Sequence, residues 1–210
     1  MTNPTLGILN AVDRIIEHAR TLNRDIPDKI VVVMDSGRRK NGMAHGHFAS
    51  LVWHDGYSEI KLGTESLSRG AVPTLGTILH ELSHAIAFEL GIRDTSNKGR
   101  YHNAKFRGIA LDAGISLENT PTLGWSTTTV PDGTVAIYKP FVEELEKAIV
   151  TYREGYSKLE VKKTTQKRPT TKMECGCGDP VSVNKGWFER VGQFAECTNC
   201  NENFRLVENV

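Results

Sequence analysis

The feature that most constrains the fold is an apolar stretch, residues 73–90, that contains the pattern His-Glu-x-x-His. Its apolar residues recur at the spacing of one helix face, with Pro73 at the start and Gly91 after the end. His80 and His84 are four residues apart, so a helix places both imidazoles on one face. Titratable side chains seldom lie in such an apolar helix without partners. The stretch therefore predicts a buried helix whose two histidines share a metal ion.

The metal is expected to be Zn²⁺, which binds imidazole nitrogen at about 2.0–2.1 Å. Glu81 lies about 100° around the helix from His80, so it cannot share the ligand face equally. It is placed to take a proton from a water molecule at an open metal position. Since a catalytic zinc usually has three protein ligands, the motif predicts Glu81 as general base and requires one further ligand.

The third ligand is predicted to be His102, which follows His84 after 17 intervening residues. We predict a helix over 101–113, in which Phe106 faces the core on the same side as His102. Other ligands are possible. Of these, Asp94 lies very close to the end of the metal helix, and we interpret His45 and His47 as a solvent-facing pair. The acidic candidates are Asp94, Asp112 and Glu118, and the histidine candidates are His45, His47 and His54.

The remaining patterns predict a mixed α+β architecture. Helical spacing recurs over 5–22, and the β-branched run 29–35 predicts a buried strand. The dipeptide at 55–56, Asp-Gly, is a strong hairpin signal with strand formers on both sides. Residues 119–140 are predicted to be loops with a short strand at 134–138, and residues 141–152 to be a helix.

All four cysteines lie in the last 38 residues, as two close pairs with 19 residues between them: Cys175, Cys177, Cys197 and Cys200. Pairs at this distance are typical of a zinc ribbon with four thiolate ligands, and the alternative is free thiols or a redox pair. So short a module cannot bury enough apolar surface alone, and the metal is expected to supply much of its folding energy. The stretch between the pairs is predicted to form a small sheet from Val181, Val183, Trp187, Phe188 and Phe194, with Trp187 and Phe188 in the core.

Charge separates the parts of the chain. The stretch 157–172 has six basic residues and one acidic residue, which is typical of a linker, whereas 173–210 has a net charge of −3. If the chain binds DNA, contacts with the phosphates are expected mainly from the linker and also from residues 38–40. The alternative is that the linker is only a solvated segment. Over the whole chain 26 basic and 25 acidic residues nearly cancel, which excludes binding to nucleic acid by bulk charge alone. We expect a domain over 1–156, a basic linker over 157–172 and a zinc ribbon over 173–210.

The apolar runs are too short to span a bilayer, and the first residues lack a basic segment followed by an apolar one. We therefore expect a cytoplasmic protein that does not bind membranes. In a reducing compartment grouped cysteines more often hold metal than form disulfides.

The segments HELSHAI and GRYHNAKF together resemble the SprT-like, or Spartan-type, zinc metallopeptidases. The matching positions after the motif helix are Gly99, His102 and Phe106, and many members of that family also carry a C-terminal zinc ribbon. The resemblance covers residues 5–115 and the cysteine module, but not 116–156. It implies a small zincin-like metallopeptidase domain, hydrolysis of peptide bonds and, for some members, cleavage of proteins attached to DNA.

These observations predict a zinc-dependent endopeptidase with one catalytic and one structural zinc, acting on protein or peptide substrates. DNA is a further possible partner through the basic linker. The alternative is a non-catalytic adaptor for nucleic acid or protein in which both zincs are structural. Glu81 and the apparent lack of a fourth protein ligand in the histidine set speak against the adaptor.

Overall fold

The structure is a computed structural model that describes residues 3–39, 42–153, 170–178 and 180–207. The chain forms two compact units, Met1–Lys158 and Leu159–Val210, which are described separately. Most of the predicted basic linker, 157–169, lies outside the described residues, as does Lys40. The last three residues of that predicted linker begin a strand of the second unit.

Five α-helices are described in the first unit: α1 (Pro4–Leu22), α2 (Ala71–Glu89), α3 (Ala104–Asp112), α4 (Asp132–Ile137) and α5 (Lys139–Ala148). Helix α1 begins after Asn3, whose side chain accepts a hydrogen bond from the Thr5 N–H. Helix α2 follows Gly70, which has no capping side chain, and Glu146 of α5 accepts the Ala71 N–H instead. The predicted motif helix is thus present, and its first turn is held by a distant part of the chain.

Two sheets of three or more strands flank these helices in the first unit. One has the order β1-β5-β4, from β1 (Ile30–Asp35), β4 (Gly46–Ala49) and β5 (Ser58–Gly63), with β1 parallel and β4 antiparallel to β5. The other has the order β6-β7-β9-β8, from β6 (Thr95–Ser96), β7 (Tyr101–His102), β8 (Ser116–Thr120) and β9 (Gly124–Thr129). Strands β2 (Arg38–Arg39) and β3 (Gly42–Met43) form a short separate pair.

Helix α2 lies at the centre of the first unit. It packs against α1, α3 and α5 and against strands β4, β5 and β9. Its apolar positions are fully or almost fully buried, namely Leu75, Ile78, Leu79, Leu82 and Ile86. Burial of each such side chain stabilises the fold by about 1.5–3 kcal/mol. The histidine motif is therefore carried by the most deeply packed helix of this unit.

Three predictions about the first unit were wrong in detail. The helix expected over 101–113 begins only at Ala104, because the Asn103 side chain accepts the N–H groups of Lys105 and Phe106 and caps it there. His102 consequently lies in strand β7. The segment 119–140, expected to be loops with a strand at 134–138, instead contains β9, and its residues 134–138 lie in α4 and the turn that follows it. The hairpin has a long loop over 50–57 instead of a tight turn at Asp55-Gly56.

The second unit is a small antiparallel sheet with one helix. Its strands are β10 (Thr170–Glu174), β11 (Val181–Asn184) and β12 (Arg205–Leu206), in the order β11-β10-β12. Helix α6 (Lys185–Val191) lies between the cysteine pairs, and Asn184 caps it by accepting the Trp187 N–H. Trp187 is 39% exposed, so the prediction that it belongs to the core was wrong, whereas Phe188 is half-buried. Phe194 is 74% exposed. Met173, Cys175 and Gly192 are the buried residues described here.

The predicted α+β class is confirmed by these helices and small sheets. In the described part of the chain no helix has both the length and the apolar character needed to cross a membrane.

Candidate metal centres

Three imidazoles converge on one point of the first unit. His80 and His84 project from α2, and His102 reaches them from β7. The Nε2 atom of His102 lies 3.3 Å from Nε2 of His80 and 3.1 Å from Nε2 of His84. Two nitrogen ligands of a tetrahedral zinc lie about 3.3–3.4 Å apart when each bond is about 2.0–2.1 Å. The predicted histidine set is thus brought together at the spacing of a metal site.

In two of these rings, a hydrogen bond at Nδ1, the nitrogen that points away from the cluster, determines where a proton lies. Nδ1 of His84 lies 2.5 Å from a carboxylate oxygen of Asp94, and Nδ1 of His102 lies 3.1 Å from the Leu123 carbonyl oxygen. The Leu123 carbonyl cannot donate a hydrogen bond, and neither can Asp94 when it is ionised, so each Nδ1 carries a proton. When both rings are neutral, the two Nε2 atoms that face each other at 3.1 Å therefore both present lone pairs.

His80 follows the same pattern. Its Nδ1 lies 3.0 Å from Oγ1 of Thr128, and the Thr128 hydroxyl is within 3.5 Å of the Ser126 carbonyl oxygen. When the hydroxyl donates to that carbonyl, its oxygen accepts the His80 N–H. Three lone pairs then meet without a proton between them, which is unfavourable unless a cation lies among them. The donor set therefore fits a bound metal ion.

The surroundings favour the neutral form of two of the three imidazoles, His80 and His102. Burial and the neighbouring histidines lower the pKa of His80 well below its usual value. Burial, followed by the charge of His84, also lowers the pKa of His102. Phe106 is fully buried beneath the cluster, with its ring centroid 4.4–4.8 Å from the centroids of all three imidazoles. Neutral imidazole is the form that binds metal.

Glu81 lines the same cleft as the three histidines but is not a member of the candidate ligand group that they form. It is 6% exposed, and burial raises the pKa of its carboxyl to about 7, although a hydrogen bond from the Phe48 N–H acts in the opposite direction. Its side chain lies directly over Gly46, where an added Cβ would come within 2.6 Å of Oε1. The glycine therefore makes room for the carboxylate beside strand β4.

The other ligands considered from the sequence are not members of the histidine cluster. Asp94 has a different role, because it accepts the Nδ1 proton of His84. His45 and His47 line the cleft, and His54 is exposed beside Asp55. Among the described residues, the groups able to hold a metal ion include none of the six candidates: Asp94, Asp112, Glu118, His45, His47 and His54.

The segment 116–156, for which the resemblance gave no counterpart, supports the cluster. It contributes the Leu123 carbonyl to His102 and the Thr128 hydroxyl to His80. Gly124, with φ of 69°, pairs with His102 in the sheet, and a Cβ there would collide with the His102 carbonyl oxygen. Sequence reasoning missed these residues because a main-chain carbonyl and a single threonine carry no recognisable pattern.

The cleft extends to both sides of the histidine cluster. One part has a volume of about 760 Å³ and the other of about 440 Å³, and Gly46, His80, Glu81 and His102 line both. Strand β4, at the edge of its sheet, forms one wall. The metal position is thus open to a ligand of considerable length.

In the second unit the four cysteines form a second cluster. Their sulfur atoms all lie within 4.8 Å of one another, and Cys177 Sγ is 3.9 Å from Cys197 Sγ. Two sulfurs on a tetrahedral zinc lie about 3.8 Å apart when each bond is about 2.3 Å. Main-chain N–H groups of Cys200 and Asn199 lower the pKa of Cys197 to about 6, which favours the thiolate that binds metal. All four predicted cysteines are therefore placed to hold one ion.

Comparisons with protein-family models, with curated proteins and with solved structures found no match for this chain. Its function must therefore be inferred from the geometry of these two clusters.

Proposed function

We propose that this chain is a zinc-dependent endopeptidase of the SprT-like type, with a zincin-like catalytic domain. The observation that carries the proposal is the convergence of three Nε2 atoms, with each imidazole held by a contact at its Nδ1, beside a buried carboxyl group in an open cleft. A structural metal site would be closed by a fourth protein ligand. Among the described residues this group of candidate ligands contains three histidines alone.

The roles of the residues follow from their positions. His80, His84 and His102 would hold Zn²⁺, which polarises a carbonyl group and lowers the pKa of a bound water molecule. Glu81 would accept a proton from the attacking water and later deliver it to the leaving amine. Asp94, Thr128 and the Leu123 carbonyl would keep the imidazoles oriented, as outer hydrogen bonds do in metal sites.

The shape of the cleft favours a peptide as substrate. It runs past both sides of the histidine cluster, so a chain can extend in two directions from the reacting bond. An edge strand such as β4 can pair with an extended peptide through main-chain hydrogen bonds. We propose that substrates are protein segments bound in extended form, and from the resemblance that some of them are proteins attached to DNA.

The four cysteines would hold a structural zinc that stabilises the second unit. The adaptor alternative, with two structural zincs, requires no function for Glu81. Burial of the Glu81 carboxyl costs free energy, as its raised pKa indicates, and the adaptor alternative gives that cost no purpose.

Metal content and cleavage of a casein or self-derived peptide mixture test the proposal, with and without single-stranded DNA. Wild-type protein purified without chelator should contain two zinc ions per chain. Glu81→Gln should keep both ions, because Gln preserves the size, but should lower cleavage by roughly 10²–10⁴-fold, since it cannot accept a proton.

His102→Ala should show the reverse order of effects and lose one zinc first. Near-normal cleavage by the Glu81→Gln variant, or loss of its zinc while the His102→Ala variant keeps both ions, would rule out this mechanism and favour the adaptor.

A further inference from the structure

The two ends of the cleft differ in chemistry. The end nearer the start of α2 is lined by Arg69, His45 and Thr77, whereas the opposite end is lined by Phe48 and Phe88. Val72, Pro73 and Val130 also line the first end, and His47, Ser50 and Thr95 also line the second. A peptide that occupies both ends therefore meets a guanidinium on one side of the histidine cluster and two aromatic rings on the other.

The guanidinium of Arg69 is held in a fixed position. Its Nε–H donates to the Ser66 carbonyl at 3.1 Å, and one Nη2–H donates to Oγ1 of Thr77 at 2.9 Å. The Thr77 hydroxyl donates in turn to the Pro73 carbonyl at 3.2 Å, so its oxygen is available as an acceptor. These contacts orient the guanidinium before any ligand arrives.

The remaining donors of Arg69 are available to a ligand. A guanidinium has five N–H groups, and the contacts with Ser66 and Thr77 use two of them. Arg69 forms no ion pair with any residue in the part of the chain that the structure describes. Burial and the charge of Arg69 lower the pKa of the adjacent His45, so the positive charge at this end belongs to Arg69. A fixed guanidinium with free donors matches a carboxylate.

The position of Arg69 along α2 sets its distance from the reacting bond. Its partner Thr77 precedes Glu81 by four residues, which is about 6 Å along the helix axis. For an extended peptide that runs along α2 and advances about 3.3 Å per residue, 6 Å corresponds to about two residues. Arg69 is therefore within reach of a side chain close to the bond that would be cleaved.

The opposite end disfavours the same ligand. The Phe48 and Phe88 rings lie 6.2 Å apart, and Ile92 lines the cleft beside them. The carboxylate of Asp94 also lies at this end, where it is paired with His84. A carboxylate placed here would lie beside two aromatic rings and meet a like charge.

We infer that the Arg69 end of the cleft binds a substrate carboxylate within about two residues of the cleaved bond, on one side of that bond only. This inference rests on the proposed peptidase function. The carboxylate can come from an internal Asp or Glu or from the C-terminus of the substrate.

Two sets of peptides test the inference and separate these sources. In the first, amidated peptides carry a single Glu or Gln at each of the three positions on either side of the cleaved bond. In the second, Gln-only peptides end two residues beyond the bond with a free or an amidated C-terminus. Wild-type protein should prefer the carboxylate by about tenfold in kcat/KM, at one or two adjacent positions on one side.

Substitutions of Arg69 assign the preference to its guanidinium. The ratio of Glu to Gln peptide should fall to about one in Arg69→Gln, persist in part in Arg69→Lys, and invert towards a Lys-containing peptide in Arg69→Glu. Arg24→Gln is the matched control, because Arg24 is exposed and lines neither part of the cleft. Zinc content and thermal unfolding show that each variant is folded.

Binding measured without turnover separates this inference from the proposed function. Fluorescein-labelled Glu and Gln peptides are titrated against zinc-loaded Glu81→Gln and against Glu81→Gln with Arg69→Gln, by anisotropy. About tenfold tighter binding of the Glu peptide that disappears in the double variant supports the carboxylate site even when wild type cleaves no peptide. Equal binding of the two peptides, or a Glu preference that survives without Arg69, overturns it.

Discussion

The two candidate metal sites of this chain differ in how much the surrounding fold supports their ligands. Two ligands of the histidine cluster lie on α2, which is packed on several sides by helices and strands, and the third lies on β7. The outer hydrogen bonds come from Asp94 and from the segment 123–128. The cysteine cluster lies in a unit in which several large apolar side chains are exposed, with Met173, Cys175 and Gly192 as the buried residues described. In the first unit the fold arranges the ligands. In the second unit, metal binding by the cysteines is expected to stabilise the fold.

This difference predicts what each metal contributes. In a preformed site, little of the free energy of metal binding is used to order the chain, and the metal can take part in a reaction at an open coordination position. A site whose ligands order on binding converts the same energy into folding free energy. The comparison is therefore testable by removing ligands from one cluster at a time.

The largest effect is expected from Cys197→Ser, which removes the thiol with the lowered pKa. Structural zinc supplies about 10–16 kcal/mol of apparent binding free energy at neutral pH, so its loss should unfold the second unit. The first unit should keep its structure and its zinc. Limited proteolysis and near-UV circular dichroism measure both, with Thr198→Ser as the matched control. Unfolding of the whole chain would show that the two clusters do not differ in this way.

The histidine cluster also shows how far sequence reasoning reaches. His80, Glu81 and His84 were predictable because helix geometry alone fixes their relative positions. For His102 the predicted element was wrong, since the Asn103 cap starts α3 too late to include it. The partners of the ligands were not predictable, because Thr128 and the Leu123 carbonyl reach the site through strand pairing between distant segments. The prediction of an aromatic core in the second unit was wrong, because part of the expected sheet is a helix.

A second prediction concerns the room that Gly46 leaves for Glu81. A Cβ at this position would lie 2.6 Å from Oε1 of Glu81 and 2.7 Å from Cγ2 of Thr77, so Gly46→Ala must displace the carboxylate. Displacement by about 1 Å can lower catalysis by roughly 10²-fold, and zinc content should not change. Gly108→Ala is the control, because a Cβ there meets nothing within 4 Å and alanine favours the helix. Equal kcat/KM for wild type and Gly46→Ala would contradict the assigned position of Glu81.

A third prediction concerns Asp94, which orients a ligand without touching the metal position. Asp94→Asn removes the charge that favours the Nδ1–H form of His84 and should weaken zinc binding at this cluster by about 10–100-fold. Competition with a chromogenic chelator measures the affinity, and the four-cysteine site should be unaffected. Asp25→Asn, at an exposed position after α1, is the control. Unchanged affinity would mean that the histidines alone keep the cluster in place.

The smallest effect is expected from Glu146, which links α5 to the helix that carries the motif. Its Oε2 accepts the Ala71 N–H at 2.9 Å, at a helix start where Gly70, with φ of 90°, has no side chain to offer. Glu146→Ala should lower the free energy of unfolding of the first unit by about 1 kcal/mol, because both a cap and a negative charge at the helix N-terminus are lost. Glu146→Gln keeps an acceptor oxygen and should lose about half as much. Glu143→Ala, on the same helix but exposed, is the control in urea unfolding. Since the cap belongs to the first unit alone, a change in the stability of the cysteine unit would contradict the separation of the two.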